Sequence, residues 1–209
     1  MDSAGSDVAA PAADGRHLAP TVARSVKVLV VGAFGVGKTT LIRAVSEIEP
    51  LSTEERITTA SVGVDPAFPE KRTTTVAMDF GRITLSDEIA LYLFGTPGQR
   101  RFWDLWAGLA EGAVGALVMV DLRNLDASFE VLDQLELQTR IPFAVVVNEF
   151  PDSPSYPLED IRAALDVLPE TPVVTCDARD RSSAIETLVS LVEHALQRQS
   201  ALAGQGLPA

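Results

Sequence analysis

The sequence predicts a doubly wound α/β domain, a mostly parallel sheet with helices on both faces. Three observations predict it. Short runs of almost unbroken apolar residues recur along the chain, as they do in strands covered on both sides. Turn residues or prolines bound each run. Stretches of helical period separate one run from the next.

Taken in order, residues 26–31 (VKVLVV) form the first buried strand, and a glycine-rich turn follows. Residues 38–48 read as a helix that stops before Pro50. Residues 50–72 lack periodicity, contain Pro50, Gly63, Pro66 and Pro69, and read as a long surface loop. Residues 73–80 read as a strand. The alternation of Arg82, Ile83 and Thr84 fits a hairpin strand leading to another strand at residues 89–94. A turn at residues 95–99 precedes a short amphipathic stretch at 101–109. Residues 113–120 are a third buried strand, 127–137 a helix, 143–147 a strand, 158–165 a helix, 172–175 a strand and 183–196 the closing helix. Residues 1–22 and 199–209, poor in large apolar side chains, read as flexible tails around one folded unit at 23–198.

Composition limits the function. The chain has 209 residues, 46% hydrophobic and 22% charged, enough for one domain with a full core. Its formal net charge of -12 argues against a nucleic-acid partner, because a phosphate backbone is held by basic surfaces. Cys176 is the single cysteine, so no internal disulfide forms and a reducing compartment is expected. No apolar run is long enough for a transmembrane segment, and the first residues lack the apolar core of a secretion signal. The expected location is cytoplasmic, with any approach to a membrane made through partners.

One motif carries the chemistry. Gly32-Ala33-Phe34-Gly35-Val36-Gly37-Lys38-Thr39 matches the pattern G-x-x-x-x-G-K-[S/T], and it lies between a predicted strand and a predicted helix, as that pattern requires. Gly35 and Gly37 let the backbone curl with its N–H groups inward around phosphates. The start of the helix, through Thr40, adds the positive end of its dipole. Lys38 is placed to reach β and γ oxygens, and the Thr39 hydroxyl to join a Mg²⁺ shell. The motif predicts a P-loop NTPase domain, with a purine nucleotide as the expected ligand.

A second turn, Leu91-Tyr92-Leu93-Phe94-Gly95-Thr96-Pro97-Gly98-Gln99, ends a strand where such folds place their sites. With it the chain resembles the Ras-like small GTPases. It looks most like the branch near the bacterial gliding-motility GTPase, and within it the actinobacterial ATP/GTP-binding proteins encoded beside roadblock-type proteins. The resemblance implies that Gly98 meets the γ-phosphate through its N–H and that Gln99 is the catalytic residue that orients the attacking water. The chain departs from the family at Gly95, where an aspartate normally serves Mg²⁺. Asp121 and Asp65 are the candidate replacements. Matching Asp79-Phe80 to the Rab-type strand entry puts Thr75, with Thr74 as neighbouring alternative, in the switch position that contacts both Mg²⁺ and the γ-phosphate.

The resemblance also implies a base site, with changes. Where the family has N-K-x-D, this chain has Asn148-Glu149-Phe150-Pro151-Asp152. Asn148 matches, Glu149 replaces the lysine, and Asp152 falls one residue late. Phe150 is a candidate for stacking on the ring. The family's S-A-K loop corresponds to Asp177-Ala178-Arg179, after Cys176. The ligands expected are GTP and GDP, with ATP and ADP also possible, because adenine does not need the displaced aspartate.

The segment after Gln99 carries Arg100, Arg101, Phe102, Trp103 and Trp106, which either pack on the core or form a partner face in one nucleotide state. The leading reading is a molecular switch with slow GTP hydrolysis. The resemblance implies a roadblock-type regulator and a sensor-kinase complex as partners. The competing reading is a nucleotide-holding scaffold with little hydrolysis and relaxed base choice. A small-molecule kinase would need an arginine-bearing lid, and no lid is visible.

Overall fold

A computed structural model describes residues 24–49, 51–52, 78–98, 103 and 106–204. Among these residues seven strands form one sheet: β1 (Arg24–Gly32), β2 (Leu51–Ser52), β3 (Asp79–Ser86), β4 (Ile89–Gly95), β5 (Ala113–Val120), β6 (Phe143–Asn148) and β7 (Val173–Cys176). Five helices accompany them: α1 (Lys38–Val45), α2 (Trp106–Ala110), α3 (Asp126–Gln138), α4 (Leu158–Ala164) and α5 (Arg181–Gly204). The strand order is β2-β3-β4-β1-β5-β6-β7. β1 pairs in parallel with β4 and β5, and the parallel ladder continues through β6 to β7. Only β2–β3 and β3–β4 are antiparallel.

The period-two alternation of the central strands sorts side chains onto the two faces. Val28, Val30, Leu117, Met119 and Val146 point to one side and pack with Leu41, Ile42 and Val45 of α1 and Leu188 and Leu191 of α5. Leu29, Val31, Val118, Val120 and Val145 point to the other. They pack with Trp106 of α2, Val131, Leu132 and Leu135 of α3, and Ile161 of α4. Leu29, Leu41, Ile42 and Leu117 are fully buried, each contributing roughly 1.5–3 kcal/mol of hydrophobic stabilisation. The two-sided burial explains why β1 and β5 read as unbroken apolar runs.

Most predicted elements are present within one to three residues. Helix α1 ends at Val45 rather than at residue 48, because Ser46 turns extended and its N–H closes the helix on the Ile42 carbonyl. The hairpin strand is longer than expected: β3 runs from Asp79 through Ser86, and of the span predicted at residues 73–80 only 78–80 lie among the described residues. The closing helix passes the predicted boundary of 198 and ends at Gly204. Gln199, Ser200, Ala201, Leu202 and Ala203 contain no breaker, so the helix propagates through them to the last described residue, Gly204. Residues 199–204 are therefore helix, not tail. At the start of α5, Arg181 donates to the Ala44 and Val45 carbonyls at 3.2 and 2.8 Å, the open end of α1. No helix of the described residues is long and apolar enough to cross a membrane.

Candidate functional site

The parallel strands β1, β4, β5, β6 and β7 all end at one edge of the sheet, and strand order reverses on either side of β1. That is the crevice where doubly wound folds bind ligands. Because β3 runs antiparallel, its first residue, Asp79, lies at the same edge, directly opposite Gly95.

The loop between β1 and α1 is built for phosphate. Gly37 caps α1 in the left-handed region, with φ of 107°. A Cβ there would come within 2.5 Å of Asn148 Nδ2, so the position needs glycine on two counts. The first N–H groups of α1 have no intrahelical acceptor and face the loop end, which makes them ready donors to an anion. Lys38 curls back over the loop, its Nζ donating to the Gly32 and Ala33 carbonyls at 2.8 Å each. Burial pushes its pKa down to about 8, against an opposing pull from the Asp79 charge. An ammonium so poorly hydrated gains from a phosphate partner. Val36 is buried and anchors the loop in the core, whereas Phe34 is 83% exposed at its outer rim. Thr40 is exposed on the first turn of α1.

Gly98 presses against this loop. A Cβ on it would meet Phe34 N at 2.7 Å, the Ala33 carbonyl carbon at 2.8 Å and the Gly32 oxygen at 2.9 Å. The turn after β4 and the phosphate loop are thus in backbone contact, with Thr96 tied to β1 by its N–H on the Val30 carbonyl at 2.9 Å. Gln99, Thr74, Thr75, Arg100, Arg101, Phe102 and Asp65 lie outside the described residues.

Thr39 does not stand alone. Its Oγ1 donates to Asp79 Oδ2 at 2.5 Å. The sequence reading used Asp79 only to set register and looked to Asp65 and Asp121 for a carboxylate. Asp121 is engaged elsewhere: it accepts from the Arg123 N–H at 2.9 Å, capping a 3-10 turn, and pairs with the Arg123 guanidinium at 2.8 Å. A plain count back from the turn at Asp87-Glu88 sets Asp79 against Thr96, and the bulge between Thr84 and Ser86 shifts it by one residue to Gly95.

Asn148, at the end of β6, is a brace. Buried to 4% exposure, it donates from Nδ2 to the Val36 carbonyl at 2.9 Å and accepts at Oδ1 from the Ala178 N–H at 3.1 Å. It locks the phosphate loop to the loop after β7, using one N–H and one lone pair of its amide. Glu149 is exposed, its N–H bonded to the Cys176 carbonyl at 2.8 Å. Phe150 has the Arg123 guanidinium stacked 3.6 Å above its ring, and Asp152 pairs with the same guanidinium at 2.9 Å. Arg123, absent from the sequence-level site, thus joins Asp121, Phe150 and Asp152 into one cluster. Its neighbours hold it charged, and its hydrogen bonds hold the Asp121 carboxyl below its ordinary range. Arg179 grips Asp177 in a fork at 2.7 and 2.8 Å, which lowers the Asp177 pKa to about 2. Burial pushes the Cys176 thiol up, against a reactive role.

Trp106 is wholly buried in the core. Trp103, partly buried, packs on the same cluster with ring centroids 5.8 Å apart. Among the described residues, neither indole N–H has a hydrogen-bond partner.

Comparison with known proteins agrees with this geometry. Residues 30–198 match the family described as conserved hypothetical ATP binding protein. The protein MJ1339 of Methanocaldococcus jannaschii is 30% identical over 125 residues, 59% of this chain and 70% of that protein. The Ras-related protein Rab-27A of Canis lupus familiaris is 29% identical over 184 residues, 83% of this chain and 80% of that one. Among solved structures, the G domain of the T. maritima FeoB iron transporter superposes with a TM-score of 0.57 at 18% identity, covering 82% of this chain and 99% of that domain. The FeoB cytosolic domain in a GDP form gives a TM-score of 0.58 at 18% identity, covering 83% of this chain and 64% of that one. With a Ras-like P-loop fold and a family match across the whole nucleotide edge, the chain belongs to the family of conserved hypothetical ATP binding proteins.

Proposed function

We propose that this chain is a nucleotide-dependent molecular switch that binds GTP, hydrolyses it slowly, and relays its state to signalling partners. The observation that carries the reading is the backbone contact between Gly98 and the phosphate loop, beside the buried Lys38. A turn that touches the loop must respond when a γ-phosphate enters or leaves between them.

The roles divide by residue. The loop from Gly32 to Thr39 cradles the phosphates with main-chain N–H groups, and Lys38 supplies the charge. Gly98 offers its N–H to the γ-phosphate, and Gln99 orients the attacking water. The oxygen donors at the loop end fit a hard cation, since the Thr39 hydroxyl already sits against a carboxylate. Thr39 and Thr75 would hold Mg²⁺, which would supply positive charge to offset that of the phosphates. For the base, Phe150 and the loop Asp177-Ala178-Arg179 line the expected position, with Asn148 bracing it.

A scaffold with little hydrolysis and relaxed choice between guanine and adenine is the second reading. It is favoured by the pairing of Asp152 with Arg123, which engages the acid that guanine needs. The resemblance to the gliding-motility branch, carried by residues 91–99, supports roadblock-type and sensor-kinase partners, and the single cysteine supports a reducing, cytoplasmic location. Co-purification with such partners in one nucleotide state and not the other tests that part.

Calorimetric titration of the purified chain with GDP, GTP, ADP and ATP, with and without Mg²⁺, tests the core reading. Guanine nucleotides are expected to bind more tightly, and phosphate release from GTP to depend on Gln99. Emission from Trp103 should differ between diphosphate and triphosphate states. No uptake of any of the four nucleotides would overturn the reading.

A further inference from the structure

Gly95 leaves the end of β4 without the carboxylate that a Ras-like metal site takes from that position. We propose that Asp79, reaching across from β3, supplies it: the Mg²⁺ carboxylate has moved from one strand of the hairpin to its partner. This inference rests on the nucleotide-switch reading and names a metal-binding residue for that same site.

The geometry makes the two positions exclusive. Asp79 and Gly95 are paired across the antiparallel ladder. A Cβ at position 95 would lie 3.0 Å from Asp79 Cβ and 3.3 Å from Asp79 Oδ2. Cross-strand Cβ atoms normally stand about 4.5–5.5 Å apart, so a full aspartate at 95 would collide with Asp79 and set two like charges side by side. Glycine at 95 vacates the room that Asp79 occupies. The carboxylate then points to the correct place, since Oδ2 accepts from Thr39 Oγ1, the hydroxyl that the phosphate loop turns toward the metal. Asp121, the other acid at this edge considered for the role, is held by Arg123. One carboxylate, one hydroxyl and phosphate oxygens form the donor set that Mg²⁺ prefers over an all-protein cage.

The test compares release of a fluorescent GDP, and of a fluorescent non-hydrolysable GTP analogue, in MgCl₂ and in EDTA. Mn²⁺ affinity of the nucleotide-bound protein, read by electron paramagnetic resonance, is a second measure. In the wild type, EDTA should speed release. Asp79→Asn keeps shape and removes charge. It should weaken Mn²⁺ binding by about 10- to 100-fold and bring the two release rates close together. The double variant D79G/G95D exchanges the two residues, removes the Cβ that a side chain at 95 would meet, and returns the carboxylate to β4; it should recover metal dependence, which a merely structural Asp79 would not allow. If Asp79→Asn fails to fold, the double variant decides: recovery supports the exchange, and no recovery overturns it. Wild-type metal dependence that persists in Asp79→Asn overturns the inference and leaves the nucleotide reading standing. Nucleotide binding by the wild type that ignores Mg²⁺ also overturns it. A wild type that takes up no nucleotide overturns the parent reading instead.

Discussion

The two ends of the nucleotide edge are built from different materials. At the phosphate end, recognition rests on main-chain atoms: a left-handed glycine cap, the open N–H groups of α1, and Gly98 lying on the loop backbone. At the base end it would rest on side chains, and these are largely paired with one another. Arg123 holds Asp121 and Asp152 and covers Phe150, while Arg179 holds Asp177. A main-chain cradle has one shape, which the glycine pattern dictates. A side-chain site can be rewired by one insertion or one new arginine. On the proposed nucleotide reading, the contrast commits this chain to phosphate and only loosely to the identity of the base.

Four substitutions would break or sharpen that contrast. Lys38→Ala removes the only ammonium that contacts the loop carbonyls among the described residues, with charge-assisted bonds worth roughly 3–6 kcal/mol together toward phosphate. It should weaken di- and triphosphate binding alike by at least about 100-fold in calorimetry, and a small effect would break the comparison at its strong end. Asn148→Ala strips partners from the buried Val36 carbonyl and Ala178 N–H. An expected loss of about 2–3 kcal/mol in denaturant unfolding checks it. Gly98→Ala forces the turn off the loop, because the added methyl meets backbone rather than a movable side chain. Triphosphate binding should fall by roughly 10-fold, about 1.4 kcal/mol, with diphosphate binding little changed. Arg123→Ala frees Phe150 and Asp152. Its half-exposed ion pairs contribute little stability, so the melting temperature should barely move. The ratio of GTP to ATP affinity should rise by a few-fold as Asp152 is released, and an unchanged ratio would show that Asp152 does not read the base.

The legibility of the sequence follows the same division. The sheet and its helices were readable because β1, β5 and β6 are buried on both faces and must be apolar throughout, and because the phosphate pattern carries its own strand and helix. Asp79 was not readable as part of the site by a scan of local motifs. Its partners, Thr39 and Gly95, are 40 and 16 residues away, and only strand register brings them together. Arg123 escaped for a similar reason: it sits in a 3-10 turn after β5 and reaches Asp152 across 29 residues. α5 was read too short because its polar helix formers at 197–201 resemble tail composition.

The grip of Arg181 on the last carbonyls of α1 has a consequence for local opening. One guanidinium satisfies acceptors of one helix from the first turn of another, so fraying at either end strands the groups at the other. The Ser46 amide and the amides of the following α5 turn would then exchange with solvent as a single cooperative unit, slowly and at a shared rate.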